Sequence, residues 1–285
     1  MEHNHAKKSD LRAESSEQII SIYRYNDSVP IITQHAKTEK RPYIHPMAAP
    51  DGVGILTEDA PSHHPWQHGL YCGFNNINNI GFWEEGLRGG YDGTIHPKSL
   101  AQPIIKENTA RWKVETDWLA PDGTHMISEE QAWTFTDHGE TYELDLVWSL
   151  QAETSLTYGQ HIAGGLFLRM PFKEELGGKA INSAGQENEN AEAKYANWVT
   201  VSMPIENRND WAGIAMMNHK DNPQHPVTWR VDDQLGFSPS RCISGEWTQA
   251  QGTTETYKHR LFVYCGQPDI GQIERSWNSF NDSVV

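Results

Sequence analysis

Residues 111–150 read RWKVETDWLAPDGTHMISEEQAWTFTDHGETYELDLVWSL, and the alternation within them decides the fold. Trp112, Val114, Thr116 and Trp118 share one parity, and Arg111, Lys113, Glu115 and Asp117 take the other. Successive side chains on a strand point to opposite faces, so a period of two marks a half-buried strand. Gln131, Trp133 and Phe135 repeat the pattern against Ala132 and Thr134. Tyr142, Leu144, Leu146, Trp148 and Leu150 repeat it against Glu143, Asp145 and Ser149. Pro121-Asp122-Gly123 and Asp137-His138-Gly139 are turn sequences between the runs. Three strands joined by short turns make an antiparallel meander.

Outward from this core, apolar runs predict strands at Ile19 to Tyr25, Arg41 to His45, Gly69 to Phe74, His161 to Met170, Trp198 to Met203, Ala212 to Asn218 and Lys258 to Tyr264. Helical spacing appears at Ile270, Ile273, Trp277 and Phe280, with Asp269 as its cap. Lys173 to Lys194 has no period and reads as a long mobile loop. Met1 to Gln18 is polar throughout and reads as a disordered tail, or as what remains after removal of a signal peptide. The fold expected is all-β: one large antiparallel β-sandwich domain over residues 19–285, with a short C-terminal helix.

The 285 residues carry 23 Lys and Arg against 38 Asp and Glu, a formal charge of −15. That balance argues against a nucleic-acid partner, which needs a basic face. No apolar run approaches the roughly 20 residues of a membrane helix; the stretch from Ala212 to Met217 stops far short. Cys72, Cys242 and Cys265 are too scattered for a disulfide scaffold or a thiolate metal site. No signal peptide is visible, which leaves the compartment open between cytoplasm and periplasm.

Four stretches carry candidate chemistry. In Lys40-Arg41-Pro42-Tyr43-Ile44-His45-Pro46 an extended chain puts Arg41, Tyr43 and His45 on one face, a guanidinium beside two proton carriers. In His63-His64-Pro65-Trp66-Gln67-His68-Gly69, a helical turn opened by Pro65 would set His64 and His68 one turn apart. In the run from His161 to Met170, Ile162, Leu166, Leu168 and Met170 form a core face, with His161, Phe167 and Arg169 opposite. His161 and Arg169 would lie about 26 Å apart on a straight strand, so His161 is favoured as the site member. The fourth is the Pro-punctuated loop from Asn218 to Trp229, which contributes His219, His225 and Trp229. Trp83-Glu84-Glu85 with His96 forms a weaker fifth group.

These motifs, in this order with Gly81-Phe82-Trp83 between them, resemble the bacterial PmoA-type domain from about residue 20 to residue 280. Many members have His-His-Arg where this chain has Trp66, Gln67 and His68. The family label names a methane oxygenase subunit that is an integral membrane protein, and the absence of a spanning run here speaks against that activity. The resemblance implies instead a supersandwich comparable to sugar mutarotases and polysaccharide lyases. It also implies a place in carbohydrate metabolism beside sugar dehydrogenases or glycan-degrading enzymes.

The expected function is proton-transfer chemistry on a sugar or uronic-acid-containing oligosaccharide, as a lyase or dehydratase. His45, His68, Tyr43 and His161 are the proton carriers and Arg41 clamps the substrate. His64, Trp66, Trp83, Arg169, His219, His225 and Trp229 complete the substrate site. Trp rings suit the apolar faces of sugars, although Trp112, Trp118, Trp133 and Trp148 alternate like core residues. No cofactor is expected. The alternatives are a non-catalytic sugar-binding module using Trp66, Trp83 and Trp229, a metal-dependent enzyme using His64, His68, His161 or His225, and a glycoside hydrolase using Glu84 or Glu130 with a second carboxylate.

Overall fold

The computed structural model describes residues 10–38, 40–87 and 89–282. The meander forms as the alternation requires: Thr109–Leu119, His125–Asp137 and Thr141–Ala152 pair antiparallel in continuous register. Trp133 stands opposite both Trp112 and Leu146. Thr254–Cys265 and Trp211–Asn218 extend this sheet, which reaches nine strands among the described residues. A second sheet, of twelve strands among the described residues, lies against it. Its centre is built from Tyr43–Met47, Leu70–Ile77 and Gly164–Leu168, again antiparallel.

Both sheets send one parity into a common core. From the twelve-stranded sheet come Ile44, Leu70, Cys72, Phe74, Leu166 and Leu168. From the nine-stranded sheet come Trp112, Trp118, Trp133, Leu146 and Trp148. Phe74 stacks on Trp148 with ring centres 5.7 Å apart, and Phe82 meets Trp118 at 5.2 Å. Such aromatic contacts across the layers set the stacking of the sheets.

The two outer faces are covered differently. The C-terminal helix Ile270–Asp282 lays Ile273 and Phe280 on Trp198, Ala215, Met217, Phe262 and Tyr264 of the nine-stranded sheet. Asp269 Oδ1 accepts from the Gln272 backbone N–H at 3.0 Å and caps the helix as expected. On the twelve-stranded sheet a separate cluster of Tyr43, Tyr71, Trp83, Ala163 and Phe167 occupies the outer face. Loops, not a helix, cover it. This is where the polar side chains gather.

Three local expectations are corrected. The expected tail includes a strand, Leu11–Ser15, paired with Ile19–Arg24; Leu11 is buried and supplies the apolar anchor. The first nine residues of that tail lie outside the described residues. The expected loop from Lys173 to Lys194 contains the strand Lys179–Asn182, which extends the nine-stranded sheet through its pairing with Trp198–Pro204. Four residues are too few for a periodic signal, and the backbone hydrogen bonds of the neighbouring strand make the element. The strand expected from His161 begins only at Gly164, and Ile162, expected in the core, is 63% exposed. No helix is long and apolar enough to cross a membrane among the described residues.

Candidate functional site

The outer cluster is assembled by register. Tyr43 stands opposite Tyr71, and Tyr71 opposite Phe167, so the three rings form one row across three strands. Arg41 precedes this row by two residues and lies over the Tyr71 ring, 4.0 Å from its centre, and 5.7 Å from that of Trp83. Gly73 makes this possible: a Cβ there would come within 2.8 Å of Arg41 Nη1 and 2.6 Å of the Phe82 carbonyl oxygen. Arg41 Nη2 donates to the Trp66 carbonyl, and Nε stands 3.5 Å from Glu85 Oε1. Arg41 is 2% exposed, yet its Nε and Nη1 have no hydrogen-bond partner. Glu85 Oε1, the Tyr71 hydroxyl, Trp66 Nε1 and His64 Nδ1 are likewise buried atoms without partners. A buried polar group left unpaired costs about 1–3 kcal/mol, so these atoms offer donors and acceptors for water or a ligand to satisfy.

At the centre of the network His68 is fully buried between two carboxylates. Its Nδ1 lies 2.5 Å from Asp59 Oδ1 and its Nε2 lies 3.0 Å from Glu85 Oε2. Its ring stacks on Tyr43 at 4.8 Å, and Tyr43 in turn on His35 at 4.6 Å. Burial opposes the charged imidazole, but the hydrogen bonds and charges of Asp59 and Glu85 outweigh it and hold His68 above its ordinary value. The hydrogen bond from His68 holds Asp59 low. Burial pushes Glu85 up, but His68 and Arg41 together bring it below its ordinary value. Tyr43 is pushed up to about 12 by burial and by the charges of Asp59 and Glu85. Glu85 sits at a φ of 53°, a left-handed conformation unusual outside glycine and a form of strain that functional sites retain.

The sign of the pH dependence follows from these directions. A raised histidine stabilises the fold fully below its unfolded value of 6.5 and loses that contribution as pH rises through its folded value. The two depressed carboxylates contribute above their ordinary values of 3.8 and 4.5 and lose their share as pH falls through their folded values. Thermal melting of the wild type and of His68→Asn across pH should therefore differ most between about 4.5 and 6.5. A difference that grows steadily above that window would contradict the charged His68.

Several expected members are here, in altered roles. Arg41, Tyr43, Trp66 and Trp83 belong to the cluster. His68 belongs to it too, with both its nitrogens taken by carboxylates. The helical turn expected from Pro65 is an irregular turn, with the Gln67 N–H donating to the His64 carbonyl. His64 meets the edge of Trp66 at 5.3 Å. His45 sits at the rim, partly exposed, with Nδ1 2.8 Å from Thr57 Oγ1; burial holds it below its ordinary value. Arg169, set aside in the sequence for His161, is 1% exposed and donates to Gln67 at 2.6 Å and Gln234 at 3.1 Å.

Other expected members are elsewhere. His161 lies in the turn before its strand, its N–H donating to the Cys242 carbonyl. His219 packs against Phe280 and His225 against Trp277, both beneath the C-terminal helix. Trp229 is fully buried in the core, donating to the Ala196 carbonyl at 2.9 Å. The metal set of His64, His68, His161 and His225 is therefore scattered. Among the described residues no three His, Cys, Asp or Glu side chains are placed to hold a metal ion. Of the carboxylates offered for glycoside hydrolysis, Glu130 pairs with Lys113 on the nine-stranded sheet, away from the cluster.

Sequence reasoning missed Asp59 altogether, as well as His35, and gave Glu85 only a place in a weak group. Asp59 joins the site through a single bridge opposite His68, which carries no periodic signal. A cavity of about 100 Å³ opens beside Arg41 and Glu85, lined further by Lys40, Thr94 and His96.

The DUF6807 family model, described as a family of unknown function, matches residues 15–278; that label differs from the PmoA-type one expected from the motifs. No curated protein matches the chain. Among solved structures it is similar to a galactose mutarotase related enzyme from Lactobacillus acidophilus, at 7% identity over 89% of this chain and 97% of that one, with a TM-score of 0.37. It is also similar to a galactose mutarotase-like protein from Lactobacillus casei, at 8% identity over 89% and 100%, with a TM-score of 0.38. An alpha-galactosidase from Lactobacillus brevis gives 9% identity and a TM-score of 0.42, over 97% of this chain but 42% of that one.

Proposed function

The chain belongs to the DUF6807 family, and from its own site we propose that it performs proton-transfer chemistry on a sugar, with Glu85 as the base. The observation that carries this reading is the Asp59–His68–Glu85 relay, which leaves one carboxylate oxygen, Oε1, without a hydrogen bond and facing a buried guanidinium. Asp59 and His68 hold Oε2, so the geometry of the free oxygen is fixed before a substrate arrives.

The reaction that suits this arrangement is β-elimination beside a carboxylate, the chemistry of a lyase or dehydratase. A carboxylate of the substrate enters the cavity beside Arg41 and accepts a charge-assisted hydrogen bond from its free Nη1. The proton on the adjacent carbon passes to Glu85 Oε1. The electron pair moves into the new carbon–carbon double bond as the carbon–oxygen bond breaks. The Tyr71 hydroxyl, which burial keeps protonated far above its ordinary value, supplies the proton to the departing oxygen. Arg41 stabilises the charge that develops on the substrate carboxylate.

Arg41→Lys tests the clamp, since lysine keeps the charge but not the planar guanidinium that reaches both the Trp66 carbonyl and the cavity. Turnover of uronate-bearing sugars should fall by about 10²-fold or more, as expected from the loss of one transition-state donor, while the far-ultraviolet spectrum is unchanged. Retained turnover would remove Arg41 from the reaction. A second reading, a sugar-binding module without chemistry, is favoured by one observation: the half-buried Trp66, whose indole N–H has no partner. Sugar binding without turnover of any uronate by the wild type would decide for it.

A further inference from the structure

A groove separate from the Arg41 cavity adjoins the site, sharing none of that cavity's lining residues. It begins at Arg169 and His63 in a hollow of about 280 Å³ that also includes Glu58, Glu174 and Asp233. It continues through Phe172 and Asp233, which line both hollows, into a wider one of about 550 Å³ beside Glu189, Glu192 and Arg230. Two connections join it to the reacting centre. Trp66 and Gln67, adjacent in the chain, hold the two arginines: the Trp66 carbonyl takes Arg41, and the Gln67 side chain takes Arg169. The rings of His63, His64 and Trp66 form a continuous edge-to-face row, with centres 4.8 and 5.3 Å apart, from the groove wall to the cluster.

The volume greatly exceeds that of the Arg41 cavity, and its form suits a chain. Half-buried Phe172 and the buried Leu235 give it apolar floor, as a sugar ring's C–H face requires. Its charge restricts the chain. Asp232 pairs with Arg169 and Glu192 with Arg230. Glu58, Glu174, Glu189 and Asp233 stand in no ion pair among the described residues, so the groove is negative along its length. A concave surface of one sign concentrates that field and acts on every charged unit of a bound polymer.

Resting on the reading that the Arg41–Glu85 centre handles a sugar, we propose that this groove holds further units of an oligosaccharide, and that those units carry free amines, not carboxylates. The enzyme then acts on a single acidic unit adjoining an amine-bearing chain, and rejects a polymer with a carboxylate on every ring. The acceptance of an anion at Arg41 and its exclusion a few residues away is a discrimination that neither site achieves alone.

Binding, not turnover, tests this, so its outcome is independent of whether Glu85 is a base. The full chain would be titrated by calorimetry with glucosamine, its hexamer, the galacturonic acid hexamer and hexalysine. Affinity for the glucosamine hexamer should exceed that for the monomer at least tenfold and weaken with added salt. The galacturonate hexamer should gain nothing over its monomer. The triple variant Glu58→Gln, Glu174→Gln, Asp233→Asn alters only the groove; it should erase the gain of the glucosamine hexamer and leave binding of galacturonic acid beside Arg41 unchanged. Equal affinity for hexamer and monomer, or an equal gain for galacturonate, overturns the proposal. Hexalysine binding as tightly as the glucosamine hexamer also overturns it, because the groove would then select charge and not sugar.

Discussion

Glu85→Gln should lower turnover about 10²–10⁴-fold, the usual share of a general acid–base group, with sugar binding and folding retained. Glutamine keeps the shape and leaves an oxygen to accept from His68 Nε2, so the relay keeps its geometry. What it loses is the capacity to accept a proton at Oε1, the atom that stands 3.5 Å from Arg41 Nε without a hydrogen bond. The same substitution removes a negative charge from beside His68 and Arg41, so His68 should fall toward its ordinary value and a bound carboxylate should be held more tightly. The signature is therefore a split: lower kcat with unchanged or lower KM. A variant that loses turnover by weaker binding alone, with kcat retained, would make Glu85 a binding residue and sink the relay as catalytic machinery. Asp59→Asn is the companion test. It touches only the far side of His68, so it should lower kcat by less than Glu85→Gln and shift the pH profile toward lower values, because one of the two carboxylates that raise His68 is gone.

The sandwich was legible in the sequence because its long strands each carry four or more alternating positions, and burial of one face enforces that alternation. The site was legible only where it shares that regularity. Arg41 and Tyr43 were found because they share one face of the chain entering a strand. Asp59 and Glu85 come from turns, where backbone geometry follows local hydrogen bonds and no spacing announces a partner. The histidines of the loop after Asn218 were misread for the opposite reason: the loop looks free, but Trp277 and Phe280 of the C-terminal helix cover it. The structure puts Arg169 rather than His161 beside the cluster, because the strand starts three residues later than its apolar pattern suggests. His161 then falls into a turn, and Arg169 lies just past the strand end, buried beside Gln67.

The largest effect on stability should come from Glu129, a residue the alternation places in the core and the reaction does not use. It is 4% exposed between the sheets. Oε1 accepts from Trp148 Nε1 at 2.6 Å and from Gln131 Nε2 at 2.7 Å; Oε2 accepts from Trp118 Nε1 at 2.9 Å and from the Thr116 hydroxyl. An indole N–H can only donate, so Glu129→Leu strands the Trp148 N–H and the Gln131 amide N–H, and leaves Trp118 Nε1 only the Thr116 hydroxyl at 3.0 Å, while nearly conserving volume. At about 1–3 kcal/mol for each stranded group, the loss should be about 3–5 kcal/mol, a large fraction of the stability of an ordinary domain. The alternative account is that a buried acid merely costs desolvation and that leucine would relieve it. Urea denaturation separates the two, because removing a donor as well should restore stability only if stranded donors are the cause. Trp148 stacks on Phe74 through its ring, and phenylalanine keeps part of that contact while deleting the N–H. The double variant Glu129→Leu, Trp148→Phe should therefore be less destabilised than the sum of the two single variants, with a coupling of at least 1 kcal/mol. Strict additivity would mean that Glu129 acts through its own burial and not as the acceptor on which Trp148 depends.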